Sequence, residues 1–194
     1  MSAIACSFLS AMESEEKTIA RGLRRRDPEL LDLLIEQYQH RLLRYLVYLT
    51  GNPELSRDLF QETWIRVLER GHQYDGRRPF STWLSATARN LAIDYFRRKR
   101  PLSLDALMDD ERHAPLEPVD AHPSAWERVV RQQQTEQLNA ALLAIPAQFR
   151  EAVVLRYQDE LTLDEIVAVT GLPLGTVKSR LYRGMNMLMG ELKA

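Results

Sequence analysis

The residue types and spacings in this chain suit the gripping of a nucleic acid better than the making or breaking of bonds. In the stretch GLPLGTVKSRLYRG, Gly171 to Gly184, placing residues at about 100° per position puts Leu174, Val177, Leu181 and Leu188 on one side. Lys178, Ser179, Tyr182 and Arg183 fall roughly opposite. Lys and Arg offer phosphate attraction or guanine contacts, Ser a small hydrogen-bonding group, and Tyr a stacking or methyl-contacting ring. An ordinary amphipathic surface helix has the same pattern, so the pattern alone keeps both readings. A second set lies upstream. Asn90, Asp94 and Arg97 share a helical face with Trp83 near the same stripe, and Arg97, Arg98, Lys99 and Arg100 follow as a basic run.

Reaction chemistry finds little to work with. His40, His72, His113 and His122 show no paired metal spacing, and Cys6 as sole cysteine excludes an internal disulfide or a cysteine metal cluster. Neither Ser81 nor Ser179 has a His or Asp partner pattern, and no glycine-rich phosphate loop occurs. The reading is a non-enzyme without metal or cofactor.

The elements that would position these residues are all helices, because no segment sustains period-two alternation. Glu15 to Arg26 reads as a first helix. Asp27 caps a second, with Pro28 in its first turn and Leu31, Leu34, Ile35, Tyr38, Leu42, Tyr45 and Leu46 at helical spacing. Gly51-Asn52-Pro53 stops it and starts a third, running to about Arg70 and ending at Gly71. After the loop HQYDGRRP a fourth spans about Phe80 to Lys99, with Leu84, Ala88, Leu91 and Tyr95 as its core stripe. Helices resume near Ser124 and run to about Ala144; Pro146 opens another to about Gln158, and two short helices finish the chain. Thr162-Leu-Asp-Glu165 is a capping-box pattern. Gly171 suits the left-handed end of that helix and Pro173 the start of the next, which together make a helix-turn-helix.

Between these groups the pattern dissolves. Pro101, Pro115, Pro118 and Pro123, with acidic residues between them, leave too little apolar surface to offset chain entropy. The expected organisation is a tail at 1–14, a helical domain at 15–100, an acidic Pro-rich linker at 101–123 and a helix-turn-helix domain at 124–194. At 194 residues and a net charge of −1 the chain has no global basic field. Its charge is instead divided, with five basic residues against Asp94 from Arg89 to Arg100 and seven acidic residues against Arg112 from Leu102 to Glu127. No apolar run approaches the roughly 18 residues of a membrane span. The opening MSAIACSFLSAM has no basic leader, and Met12 is a candidate start. A cytosolic protein is expected.

The segment LTLDEIVAVTGLPLGTVKSRLYRG resembles the −35-reading module of bacterial sigma factors, and its Gly-Thr-Val-Lys-Ser-Arg run is typical of the extracytoplasmic-function group. RDLFQETWIRVLER (Arg57 to Arg70) and YDGRRPFSTWLSATARNLAIDYFRRKRP (Tyr74 to Pro101) look like that group's polymerase-binding and −10-reading segments. The resemblance implies a factor that binds core RNA polymerase, recognises promoter DNA and assists melting. An anti-sigma factor is a further partner it suggests. By resemblance, Lys178, Ser179, Tyr182 and Arg183 face the −35 element. Tyr74, Phe80, Trp83, Asn90, Asp94, Arg97, Arg98, Lys99 and Arg100 serve the −10 element, and Asp58, Gln61, Glu62 and Arg66 the polymerase, while the apolar remainder of the third helix packs inward.

The loop Tyr74 to Phe80 matches in position the group's loop that receives an extruded base. Gly76 would permit its turn, and Tyr74 and Phe80 would wall or brace the pocket, although Phe80 and Trp83 are equally explained by core packing. Asp105, Asp109, Asp110, Glu111, Glu117 and Asp120 would let the linker mimic RNA in a basic channel. The chain departs from the group after Arg183, where Gly184-Met-Asn-Met-Leu-Met-Gly190 is expected to fray the last helix. Its Met residues would serve core packing or a protein partner. Arg77, Arg78 and Pro79 are more basic and stiffer than the group's usual loop residues. Two rivals differ in class: a DNA-binding regulator whose first domain binds a ligand or protein, and a helical adaptor with no DNA role.

Overall fold

Caps written into the sequence set the helices of the first half. The computed structural model describes residues 15–99 and 136–193. The expectations for the tail at 1–14, for the linker and its carboxylates, and for Arg100 lie outside these residues. Helix α1 covers residues 15–25. The Asp27 carboxylate accepts the Glu29 and Leu30 N–H groups at 3.1 and 3.3 Å and opens α2, Pro28–Thr50, with Pro28 in its first turn. Gly51, at φ 66°, ends α2 in the left-handed conformation that glycine adopts without a Cβ clash. The Asn52 side chain then accepts the Leu55 N–H at 3.1 Å to open α3, Pro53–Arg70. A short 3₁₀ turn, Gly71–Gln73, and a loop lead to α4, Phe80–Lys99.

The second half holds α5 at residues 136–144, α6 at Ala147–Val153, and the helix-turn-helix pair α7, Leu163–Thr170, and α8, Leu174–Glu191. The expected capping box is present: Glu165 N–H reaches the Thr162 hydroxyl at 3.3 Å and Thr162 N–H the Glu165 carboxylate at 2.8 Å. Gly171 ends α7 at φ 70°. Among the described residues no strand occurs, so the all-helical expectation holds. The run read as one helix from Pro146 to Gln158 is two pieces. Past Val153 the backbone widens into a π turn, Val154–Gln158, and Asp159 N–H bonds back to the Val154 carbonyl at 3.0 Å.

The expectations for the last helix need correction. The last helix is not short, and the stretch expected to fray stays helical to Glu191. Gly184 is the reason rather than the weakness, because α6 crosses α8 there. An added Cβ at Gly184 would stand 2.8 Å from both the Phe149 carbonyl oxygen and Val153 Cγ2. Leu188 is buried and Met185 packs half-buried against the same core, while Met187 and Met189 stay largely exposed.

The core is continuous through both halves. Leu34, Leu42, Leu46, Leu59, Val67, Leu84 and Ala88 fill the first, and Ile145, Val154, Leu155, Ile166, Val169 and Val177 the second. At the joint between them the contacts turn polar. Arg89 of α4 donates to Glu151 of α6 at 2.6 and 3.4 Å, with both side chains at most 9% exposed. Tyr45 of α2 donates to the same carboxylate at 3.0 Å. Arg41 of α2 pairs with the buried Asp159 at 3.0 Å. Thr82 of α4 meets Glu165 of α7 at 3.5 Å, and Tyr48 bonds Asn139. Arg150, itself buried, donates to the Leu143 and Ile145 carbonyls at 2.8 and 3.0 Å, closing the end of α5. It also reaches the Tyr48 carbonyl across the joint.

Gly184→Ala is expected to lower stability by about 1–3 kcal/mol through overpacking against α6. Gly190→Ala, which meets nothing within 4 Å, should raise it by up to about 1 kcal/mol through helix propensity. Denaturant unfolding of the two variants checks the pair.

Candidate nucleic-acid interface

The recognition-type face of α8 is presented to solvent. Val177 is buried and Leu181 half-buried beneath it, so Lys178, Ser179, Tyr182 and Arg183 all point outward. Tyr182 is 71% exposed, an unusual exposure for an aromatic ring that no core requires. Ser179 donates to the Thr176 carbonyl at 3.0 Å, leaving its oxygen lone pairs for a ligand. Two cations, a hydroxyl and a ring therefore share one convex face of a helix that follows a tight turn. That is the geometry of a helix entering a major groove.

On α4 the expected face also assembles. Trp83, Asn90 and Asp94 line one cleft of about 250 Å³ with Thr87 and Leu91, and α3 contributes Arg66 and Arg70 to its other wall. Asn90 is exposed, and Asp94 forms an ion pair with Arg97 at 3.5 Å. Arg98 and Lys99 are exposed, the Lys99 ammonium lying 5.1 Å from the centre of the Tyr95 ring. The cleft joins a half-buried indole, an amide, a carboxylate and two guanidinium groups. Such a set can stack a base, bond its edge and hold the adjoining phosphate.

Tyr74 and Phe80 are not pocket walls. They are 2% and 0% exposed. Their rings meet at 5.5 Å, Phe80 also packs on Tyr38 at 5.4 Å, and Trp83 lies over both at 5.6 and 5.8 Å. The two residues brace the loop from below, with Trp83 as the cluster's outer member. Glu16 of α1 ties this arrangement together. Its carboxylate accepts the Phe80 N–H at 2.9 Å, capping α4 from another helix, and bonds the Tyr74 hydroxyl. The same hydroxyl lies 2.6 Å from the Arg78 carbonyl. Burial pushes the Glu16 carboxyl up despite these bonds; burial and the Glu16 partner push the Tyr74 hydroxyl up as well. Gly76, at φ 71°, turns the loop so closely over α1 that a Cβ would come within 2.9 Å of the Glu16 carbonyl. Glu16 carries no sequence motif; only its distance of some sixty positions along the chain hid it.

The α3 expectations divide. Asp58 and Gln61 are exposed and Glu62 is half-buried. The apolar remainder does not all pack inward: Ile65 is 48% and Leu68 50% exposed, on the same stripe as Asp58, Gln61 and Glu62. Sequence reasoning missed them because both fit a core stripe at helical spacing. Arg66 sits at the edge of that stripe, toward α4. It lines the α3–α4 cleft and bonds Glu62 at 3.1 Å along its own helix. Among the described residues no group of three His, Cys, Asp or Glu side chains could hold a metal ion.

Comparison with known proteins decides the family. The Sigma-70 region 2 family matches residues 34–101, and the Sigma-70, region 4 family matches residues 135–188. The chain is 29% identical over 190 residues to the ECF RNA polymerase sigma factor SigW of Bacillus subtilis, spanning 94% of this chain and 99% of that protein. It belongs to the extracytoplasmic-function group of bacterial RNA polymerase sigma factors.

This sigma factor is also 37% identical over 162 residues to the ECF sigma factor SigE of Mycolicibacterium smegmatis, covering 83% of this chain and 61% of that one. Solved structures share its fold. CnrH in complex with the cytosolic domain of CnrY has a TM-score of 0.63 at 18% identity, over 92% of this chain and 97% of that chain. RpoE in complex with the anti-sigma factor NepR from Bartonella quintana has a TM-score of 0.64 at 21% identity, over 84% and 96%. As a sigma factor the chain works with core RNA polymerase on promoter DNA and serves transcription initiation. Among the described residues no helix is long and apolar enough to cross a membrane.

Phe80→Ala should cost about 3–5 kcal/mol of stability, as for any large aromatic removed from a packed core. The exposed Asn90→Ala should stay within about 0.5 kcal/mol of the parent. Denaturant melts of the two separate a bracing residue from one free to meet a ligand.

Proposed function

We propose that the α8 face of Lys178, Ser179, Tyr182 and Arg183 reads the −35 element, and that the α3–α4 cleft holds the −10 strand during melting. The observation that carries this reading is the cleft itself. Trp83, Asn90 and Asp94 meet Arg66 and Arg70 around a space of about 250 Å³, large enough for one base, on the face that continues into Arg97, Arg98 and Lys99. Extruding a base costs a few kcal/mol of stacking and pairing. Stacking on an exposed ring returns about 1–3 kcal/mol per base, and charge-assisted phosphate contacts add to it. Tyr74, Phe80 and Glu16 keep Trp83 and the loop in place without touching DNA. Arg66 thereby moves from the polymerase surface to the DNA surface.

The α3 stripe of Asp58, Gln61, Glu62, Ile65 and Leu68 is the polymerase-docking surface. Its two exposed aliphatic side chains supply apolar area that bare carboxylates lack, and charged neighbours give it orientation. The protein makes and breaks no bonds in this role; it acts in the cytoplasm, where polymerase and chromosome are. The structural neighbours that are held by partners support an anti-sigma factor as the regulator of this chain too. The two family matches, residues 34–101 and 135–188, support the division into a tail at 1–14, a helical domain at 15–100, a linker at 101–123 and a helix-turn-helix domain at 124–194.

Run-off transcription with sigma-free core polymerase tests these roles separately. Lys178→Ala or Arg183→Ala should reduce transcription from promoters that depend on a −35 element by about five- to 150-fold, the range of one lost base or phosphate contact. Asn90→Ala and Arg66→Ala should leave polymerase binding intact and slow open-complex formation. Ile65→Asp with Leu68→Asp should do the reverse and weaken polymerase binding. Normal transcription by all these variants would refute the residue roles.

A further inference from the structure

A charged stretch of α1 serves neither DNA-reading surface nor the polymerase-docking stripe. From Lys17 to Arg26 the chain carries five cations and no carboxylate, in a protein of net charge −1. All five are exposed. Among the described residues no carboxylate pairs with Arg21, Arg24 or Arg25. Lys17 and Arg21 stand four positions apart, as do Arg21 and Arg25, and like charges at that spacing weaken a helix. Arg26, just past α1, takes φ 54°, a left-handed conformation that glycine adopts at less cost. The helix dipole favours Arg24 and Arg25 in the last turn, but it gives Lys17 and Arg21 no such support. Helix stability does not account for the run as a whole.

Placement points to the ligand. At about 100° per residue the buried Ile19, Ala20 and Leu23 face the core, while Lys17, Arg21, Arg24 and Arg25 share an arc of about 100° on the other side. Along the axis these four span about 12 Å at 1.5 Å per residue. The loop that leaves the α3–α4 cleft runs beside them. Gln73 lines the cleft and belongs to the turn Gly71–Gln73. A Cβ at Gly71 would stand 3.2 Å from Leu23 Cβ, and one at Gly76 would stand 3.3 Å from Lys17 Cα. Residues 71–76 therefore lie along α1 from Leu23 back to Lys17, between the cleft and the cations. Further on, Arg77 pairs with Asp75 at 3.4 Å and Arg78 stands exposed. Arg97, Arg98 and Lys99 lie at the other end of α4, so a strand crossing the cleft meets cations on both sides.

We propose that Lys17, Arg21, Arg24 and Arg25 form a phosphate track for the single DNA strand that continues past the extruded base. The inference rests on the role of the α3–α4 cleft in holding the −10 strand, since the track begins where that strand leaves the cleft. A row of cations follows a single-strand backbone well, and this face carries no aromatic ring on which a base could stack. The track therefore holds the strand without reading its sequence. Its effect is to keep the melted strand apart from its complement. An acidic protein surface would meet the same charge, but continuity with the cleft favours the strand.

Binding of the holoenzyme to two forms of one promoter that the factor transcribes tests the track. In one form the non-template strand ends with the −10 element; in the other it continues unpaired for about ten nucleotides. Arg21→Ala, Arg24→Ala and Arg25→Ala combined should weaken binding to the longer form at least fivefold and leave the shorter form unchanged. Three lost phosphate contacts should also flatten the salt dependence, lowering the slope of log K against log[salt] by about 2 at about 0.7 per contact. Ala is the better helix former, so such a loss does not come from a melted α1. Arg21→Lys, Arg24→Lys and Arg25→Lys combined keep the charge and should keep the binding. No loss on the longer form, or the same loss on both, would overturn the track. A loss of affinity for core polymerase without DNA would assign the cations to a protein surface and overturn it too. Asn90→Ala, which should weaken both forms, separates the track from the cleft. A silent arginine variant beside an active Asn90→Ala overturns the track alone; silence of Asn90→Ala on both forms overturns the cleft reading and the track that starts from it.

Discussion

The Arg89–Glu151 pair is the constraint around which the two halves are arranged. Taking two charges out of water costs several kcal/mol per ion, and only good geometry with further hydrogen bonds returns it. Here the geometry is met: the carboxylate takes two bonds from one guanidinium and a third from Tyr45. Burial pulls the Arg89 guanidinium down, but the adjacent carboxylate more than offsets that and holds it above the usual arginine range. Burial and the same carboxylate push the Tyr45 hydroxyl well above the usual phenol range. The cost of this polarity is specificity of pose, since α6 can seat on α2 and α4 only where Glu151 meets its partners.

A second long-range contact sets the DNA-facing side. Helix α4 has an aromatic at its first position, preceded by Pro79. Glu16, from α1, supplies the missing acceptor at 2.9 Å from the Phe80 N–H. Because the same carboxylate bonds Tyr74, the loop that precedes α4 is held at both ends by one residue. The aromatic cluster then fixes Trp83 by its neighbours, so an indole at the cleft is oriented before any base arrives. Preorganisation of this kind lowers the entropic cost of binding.

Much of the helical framework was legible in the chain. Asp27-Pro28, Asn52-Pro53, the Thr162–Glu165 box and Gly171 each act within four residues, so they can be read without knowing what packs nearby. The basic and hydroxyl face of α8 was legible for the same reason. Gly184 misled, because intrinsic propensity treats it as a weak point while the close crossing of α6 makes it the residue that fits. Ile65 and Leu68 misled in the opposite sense. Their spacing suits a core stripe, but α2 and α4 pack on the other side of α3.

What the sequence by itself determined was the order of the helices, the ends that local caps set and the polar face of α8, and through two motif blocks the sigma-factor family. These are properties of neighbours three or four residues apart and of residue type. Only the tertiary structure decided that Tyr74 and Phe80 are braces, that Arg66 faces the α4 cleft, that Glu16 caps a helix some sixty residues away, and that Arg89 meets Glu151. Burial and pairing depend on which surfaces come together. For contacts between 58 and 118 residues apart, no local period encodes the partner.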